Sequence, residues 1–367
     1  MQTEKTAQTR KITGGGVRSS NIELFRIVSM LVIVAHHYVV SSGLQETIVG
    51  NMAPQFKDYF LLLWGWGGKT GINCFVLITG YFMCRSQITA KKFIKLLAEV
   101  EFYNIVIYAA FCLTGYTAFA WKDLLDQIIL FKTIQDGFTP CFLLFYLAIP
   151  FLNKLIFALT EKEHRLLLVW CLGVYTLIPS AGGLVSFNYV TWFGVVYLVA
   201  AYLRLYPNAW TENKTFCAAA AAGTLLLSWL TVLGSVWLTK DGESGLVWPY
   251  GWVYDSNKLL ALLTAVCAFL FFKNLKMGYS KTINTIAASA FGVLCIHANS
   301  NTMRQWLWHD VCNNVGAYQT GASVLHAVVC VAVIYAACTL LDALRIRLME
   351  RPLLRWLEGK GENIVNG

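Results

Sequence analysis

The chain has 367 residues, 57% of them hydrophobic and only 13% charged, with a net charge of +9. Soluble domains carry roughly 45–50% apolar and about 25% charged residues, so a soluble enzyme, a disordered tail, a collagen and a small disulfide scaffold are all excluded. Long, nearly uncharged apolar runs instead predict an all-α membrane protein, because a helix satisfies its own backbone hydrogen bonds in lipid.

In chain order, residues 1–20 are polar and rich in Gly and Ser, and read as a disordered N-terminus. Apolar runs follow at 24–42, 62–84, 93–116, 138–158, 166–180, 189–206, 215–238, 257–273, 284–299 and 322–344. They predict a bundle of about ten transmembrane helices, a membrane domain over 21–346 and a polar tail over 347–367. Segment 118–132 has the spacing of an amphipathic helix lying on the membrane surface. Lys and Arg collect in alternate connections, such as Arg85 to Lys95, Arg204 to Lys214 and Lys273 to Lys281. This bias of roughly three to one predicts both termini in the cytoplasm and a multi-pass protein of the plasma (cytoplasmic) membrane. Attraction to an anionic leaflet then accounts for the charge, and membrane lipids rather than nucleic acid are the expected contact. Most of the 11 cysteines lie inside apolar runs and read as small packing residues. Neither a CxxC pair nor a Cys/His cluster at metal-ligand spacing occurs, so no metal site is expected.

Ionisable residues inside the first run stand out. Arg26 and His37 are about three turns apart, ~16 Å, and share one helix face, whereas His36 points elsewhere. Glu23 is one turn before Arg26, within ion-pair reach. Such groups are costly in a membrane and mark functional sites by default. Two charge pairs near helix ends, Lys95 with Glu99 and Asp342 with Arg345, read as structural.

A second stretch runs Gly71-Ile72-Asn73-Cys74-Phe75-Val76-Leu77-Ile78-Thr79-Gly80-Tyr81-Phe82, then Arg85 and Lys91-Lys92-Phe93-Ile94-Lys95. Arg26 and His37 in the first run, an aromatic-rich helix ending at Thr79-Gly80-Tyr81 and a basic loop resemble the acyltransferase-3 family of integral membrane O-acyltransferases. The likeness continues at Phe151-Leu152-Asn153-Lys154, Phe291-Gly292-Val293 and Glu350-Arg351-Pro352. Thr79 stands where the family has Ser, Lys92 and Lys95 stand at its paired arginines, and Pro140–Phe145 replaces a tryptophan-containing segment.

The resemblance implies transfer of an acyl group, most simply acetyl, from cytoplasmic acyl-CoA to a hydroxyl of a cell-surface polysaccharide or its lipid-linked precursor. Acyl-CoA would be a co-substrate, with no permanently bound cofactor, and a carbohydrate the acceptor. His37 would be the base, with Arg26 and Glu23 beside it. Arg85, Lys91, Lys92 and Lys95 would hold the coenzyme A phosphates, and Asn73, Thr79, Tyr81 and His297 would line the cavity. Buried Arg, His and Glu also suit a transporter or flippase for a polar or lipid-linked sugar substrate. Absence of matched Gly- or Pro-interrupted runs in the two halves weighs against that alternative.

Overall fold

Every regular element among the described residues is helical. The computed structural model describes residues 19–49, 54–129, 137–186, 188–239 and 249–356; expectations for most of both termini and for the end of segment 118–132 lie outside them. The helices that frame the site are α1 (Ser20–Val40), α2 (Phe56–Gly65), α3 (Gly68–Met83), α4 (Ala90–Leu113), α5 (Trp121–Ile128) and α6 (Phe138–Ala158). They are followed by α7 (Glu161–Leu172), α8 (Tyr189–Leu205), α9 (Lys214–Thr239), α10 (Leu259–Lys273), α11 (Lys281–Ala288), α12 (Ala290–His297) and α13 (Ser323–Arg345).

Their starts are written in local chemistry. Thr89 accepts from the Lys92 amide, Asn188 from Thr191 and Ser280 from Ile283, and Thr160 and Glu163 form a capping box ahead of α7. Six stretches are long and apolar enough to cross a membrane: Ser20–Val40, Phe56–Met83, Ala90–Leu113, Phe138–Ala158, Lys214–Leu238 and Ser323–Trp356. Tyr189–Leu205 and Leu259–Lys273 are apolar but shorter. The two remaining expected spans are broken. Run 166–180 is divided between α7, a π-helical turn at Gly173–Leu177 and Ile178–Ser180, and run 284–299 is divided between α11 and α12 at Ser289. Hydropathy reports where apolar residues run, not where the backbone ladder is interrupted.

Burial separates core from rim. The apolar window of α2–α3 is 78% buried, while those of α4 and α9 are 28% and 17% buried. Leu226, Leu230 and Trp237 of α9 and Val329, Val333 and Leu340 of α13 accordingly face outward, as lipid-facing surface requires. Helix α5 lies on the surface beside α4, with no buried residue, tied there by Asn104 Nδ2 to the Gln127 carbonyl and Tyr108 Oη to the Ala120 carbonyl.

Polar contacts gather the helix ends at two poles. At the first pole Asn21 donates to the Phe272 and Lys273 carbonyls, Asn153 donates to the Met83 carbonyl, and Lys95 pairs with Glu350 at 2.7 Å. At the second, Lys57 donates to the Tyr318 carbonyl, Asn314 to the Tyr38 carbonyl and Lys258 to the Pro179 carbonyl.

Run 62–84 lies within the one candidate span Phe56–Met83, which carries a two-residue break at Trp66–Gly67 between α2 and α3. Glycine makes the break fit. A Cβ on Gly67 would sit 2.2 Å from Val32, one on Gly68 2.2 Å from the His36 ring, and one on Gly71 2.6 Å from Ile33. Only hydrogen at these positions lets α1 press its histidine-bearing face against the break.

Candidate functional site

Helix α1 delivers both of its histidines to that break. His36 Nδ1 lies 2.6 Å from the Gly65 carbonyl, an acceptor left over at the end of α2, so this nitrogen carries a proton and donates it. His37 faces the other way. Its Nδ1 lies 3.0 Å from His297 Nε2, and His297 Nδ1 lies 2.6 Å from the Val293 carbonyl.

Protons in this chain are fixed by what can accept. A carbonyl only accepts, so His297 Nδ1 carries hydrogen, and in a neutral pair its Nε2 offers a lone pair. His37 Nδ1 therefore donates to it, which leaves His37 Nε2 with an unprotonated lone pair. His297 is fully buried, whereas His37 keeps part of its surface accessible. One imidazole can meet a substrate, and the other orients it from behind. Trp308, also fully buried, closes the far side, with its ring 6.4 Å from His297 and 6.1 Å from Tyr38.

The sequence predicts His37 deep in the membrane; it falls in the last turn of α1, and His297 is the last residue of α12. The pair therefore lies toward the second pole. Two cations, Lys69 and Arg304, are within electrostatic range of His37. Lys69, in the first turn of α3, donates to Tyr189 Oη at 2.5 Å and is 4.0 Å from Asp255. Arg304 donates to Asn301 Oδ1 at 2.8 Å and to the Ala298 carbonyl at 3.4 Å.

Glu23 and Arg26 form the expected pair, with Nε to Oε2 at 3.5 Å; the carboxylate is nearly buried and the guanidinium about one-third exposed. Phe25, between them, packs on Phe269 and Phe272 of α10. Tyr81 packs on the same Phe269 and accepts a hydrogen bond from Arg204 Nη1 at 2.8 Å, the guanidinium lying 4.6 Å from the ring centre. Tyr81 and Arg204 line a cavity of about 630 Å³ at the first pole, with Asn208, Glu212, Lys273 and Asn274. Glu212 offsets the Lys273 charge at 2.5 Å, while no carboxylate pairs with Arg204 among the described residues.

The other expected site residues are placed as follows. Arg85 and Lys91 are exposed at the first pole, and Lys92 donates to Ser86 Oγ and the Gln87 carbonyl, holding its loop. Lys95 belongs to a buried charge cluster: Glu350 also accepts from Arg345, which further binds Glu99 at 3.1 Å and Asp342 at 2.8 Å. Tyr103 donates to Asp342 as well. Lys95 itself stays 42% exposed at the edge of this cluster. Asn73 is fully buried, donating to the Ser256 carbonyl and accepting from Trp192, and Thr79 donates to the Phe75 carbonyl of its own helix. Tyr81, expected at a cavity wall, lines the first-pole cavity.

Sequence reasoning passed over Lys69 and Arg304 and the glycine-rich break at 65–68. Gly65, Gly67 and Gly68 inside an apolar run were the available signal. Among the described residues no group of His, Cys, Asp and Glu is placed to hold a metal ion.

The described residues thus form a helical bundle with a paired-imidazole centre toward one pole and a cavity lined by Arg204 and Lys273 at the other. The acyltransferase-3 family model, an acyltransferase domain, matches residues 19–343, and the chain belongs to that family. No curated protein and no solved structure matches it significantly.

Proposed function

We propose that this acyltransferase takes an acyl group, acetyl being the simplest, from cytoplasmic acyl-CoA and gives it to a hydroxyl of a cell-surface polysaccharide or its lipid-linked precursor at the plasma membrane. The first pole, rich in Lys and Arg, faces the cytoplasm in this reading. The carrying observation is the hydrogen-bonded series Val293–His297–His37, which leaves His37 Nε2 free to act as a base. As the acceptor oxygen attacks the thioester carbonyl, its proton moves to Nε2. The tetrahedral oxyanion collapses, the carbon–sulfur bond breaks, and the proton passes from His37 to the departing thiolate. Lys69 and Arg304 supply positive charge for the oxyanion. The nucleotide end of the donor sits in the Arg204 cavity, whose size suits a small-molecule site. Its pantetheine arm runs along α1 past Arg26 toward His37.

The test is acyl transfer by purified protein with labelled acetyl-CoA. His37→Ala is expected to lose about 10²–10⁴ in rate, the usual worth of a positioned base. His36→Ala, which removes the contact to the Gly65 carbonyl and the ring packed on Gly68 but leaves the His37–His297 pair, keeps a substantial part of the activity. Arg204→Ala raises the KM for acetyl-CoA more than Lys92→Ala does. Activity in His37→Ala together with its loss in His36→Ala would overturn the assignment.

The interrupted α2–α3 is also the kind of helix that builds a transporter site. Substrate flux into proteoliposomes without thioester consumption would favour that reading.

A further inference from the structure

Two cysteines meet at the second pole. Cys312 follows the π-helical turn Gln305–Val311, and Cys330 lies about two turns into α13. They are 18 residues apart in sequence, and Cys330 donates to Cys312 Sγ at 3.3 Å. Cysteines at the first pole bond differently: Cys84 donates to the Tyr81 carbonyl and Cys217 to the Trp210 carbonyl. Both members of the pair are thiols in the structure, and both keep part of their surface accessible.

We propose that Cys312 and Cys330 are an oxidation site, joined as a disulfide on the outer side of the membrane, where the bond braces the wall behind the histidine pair. The proposal rests on the orientation in the reading above and adds to it a covalent bond that acyl transfer itself does not use.

Distance, backbone and compartment carry it. A disulfide places its sulfurs at about 2.0 Å, so the pair has roughly 1.3 Å to close. Cys312 leaves a π-helical turn and leads into Asn313, whose φ of 45° is left-handed, so no continuous helical ladder holds it back. Disulfides persist outside the cytosol, where glutathione and thioredoxin do not keep thiols reduced. The hydrogen bond from Cys330 holds the Cys312 thiol below the ordinary cysteine range, which makes Cys312 the attacking sulfur.

The oxidant is a disulfide-bearing molecule or oxidoreductase. The Cys312 thiolate attacks one of its sulfurs, and the other leaves as a thiolate. Cys330 then attacks the Cys312 sulfur of this mixed disulfide and releases the second oxidant sulfur. Two electrons and two protons pass from the cysteines to the oxidant, which ends as two thiols. Trp308, four residues before Cys312, is fully buried with its ring 6.4 Å from His297 and 6.1 Å from Tyr38. Tying Cys312 to α13 therefore pins the segment that carries this ring. Helix α13 is already joined to α1 through His326 Nδ1 and Tyr38 Oη at 2.7 Å.

The test uses the full-length protein in cells. Thiols are blocked with one alkylating reagent in denaturant at the moment of lysis, the protein is reduced, and newly freed thiols take a second reagent of different mass. Peptide mass spectrometry is expected to find the second label on Cys312 and Cys330 in most molecules, and the first on Cys84 and Cys217. Cys312→Ser should move Cys330 to the first label; a second label persisting on Cys330 would overturn the pairing. So would the first label on both in wild type. Glu46→Cys, exposed at the same pole, then tells two failures apart. Its reaction with a membrane-impermeant maleimide in intact cells means that the bond alone is wrong, whereas protection until lysis means that the orientation is wrong as well. The brace is read on purified protein. A reductant should lower the melting temperature of wild type by about 4 °C and leave the Cys312→Ser/Cys330→Ser variant unmoved. An equal response in the two would overturn the brace.

Discussion

The two imidazoles divide one task. His37 is reachable and His297 is not, so a change at position 297 acts through the orientation and tautomer of His37. His297→Ala is expected to lower kcat by on the order of 10- to 100-fold, the usual worth of a group that orients a ligand or base from behind. KM for acetyl-CoA should hold. His297→Gln restores part of the rate, because an amide oxygen can accept the His37 Nδ1 proton. A merely structural role would show instead as a fall in melting temperature, equal in the two variants and with no split between kcat and KM. Arg26 and His37 were legible in sequence because ionisable residues are conspicuous in an apolar run. His297 was expected at a cavity wall, but its pairing with His37 was not legible, since the two lie 260 residues apart. Lys95 shows the converse. Its basic surroundings predict phosphate binding, yet the carboxylate that engages it, Glu350, comes from the far end of the chain.

Helices meet in this bundle through what is missing from one surface as much as through what is present on the other. Gly68 leaves the space that His36 fills, and Gly292 leaves the space for Asp342, whose carboxyl carbon would lie 2.2 Å from an added Cβ. Gly68→Ala is therefore expected to push α3 off α1, lowering both melting temperature and activity. Gly223→Ala in α9, where an added Cβ meets nothing within 4 Å, should be neutral or stabilising by up to ~1 kcal/mol. The Arg345 cluster locks α4 to α13 by the opposite means. Removing its guanidinium leaves Glu99, Asp342 and Glu350 together without their shared cation. Arg345→Ala should cost about 3–5 kcal/mol, read as a large drop in thermal stability in detergent. Arg345→Lys should recover only part of it, since one ammonium cannot reach all three acids as a planar fork does. The apolar runs behind most helices were readable in sequence. Their interruptions were not, because a break at Trp66–Gly67 or Ser289 leaves the hydropathy unchanged.

At the scale of the whole molecule, function depends on which pole faces which compartment. The polar contacts show which helix ends meet, and the distribution of Lys and Arg supplies the direction: the pole that holds Arg85, Lys91, Lys92, Arg204, Lys273 and Lys281 should lie in the cytoplasm. Acyl-CoA is made there, and the Arg204 cavity opens at that pole. The histidine pair lies toward the other pole. Single cysteines in a cysteine-depleted background test this directly. Gln87 and Tyr279 are exposed at the first pole, Glu46 and Thr320 at the second. A membrane-impermeant maleimide applied to intact cells should label cysteines at 46 and 320, and should reach 87 and 279 only after the cells are opened. Labelling at 87 in intact cells would invert the molecule. The donor cavity would then face a compartment without acyl-CoA, and the direction of transfer proposed above would fall with the topology.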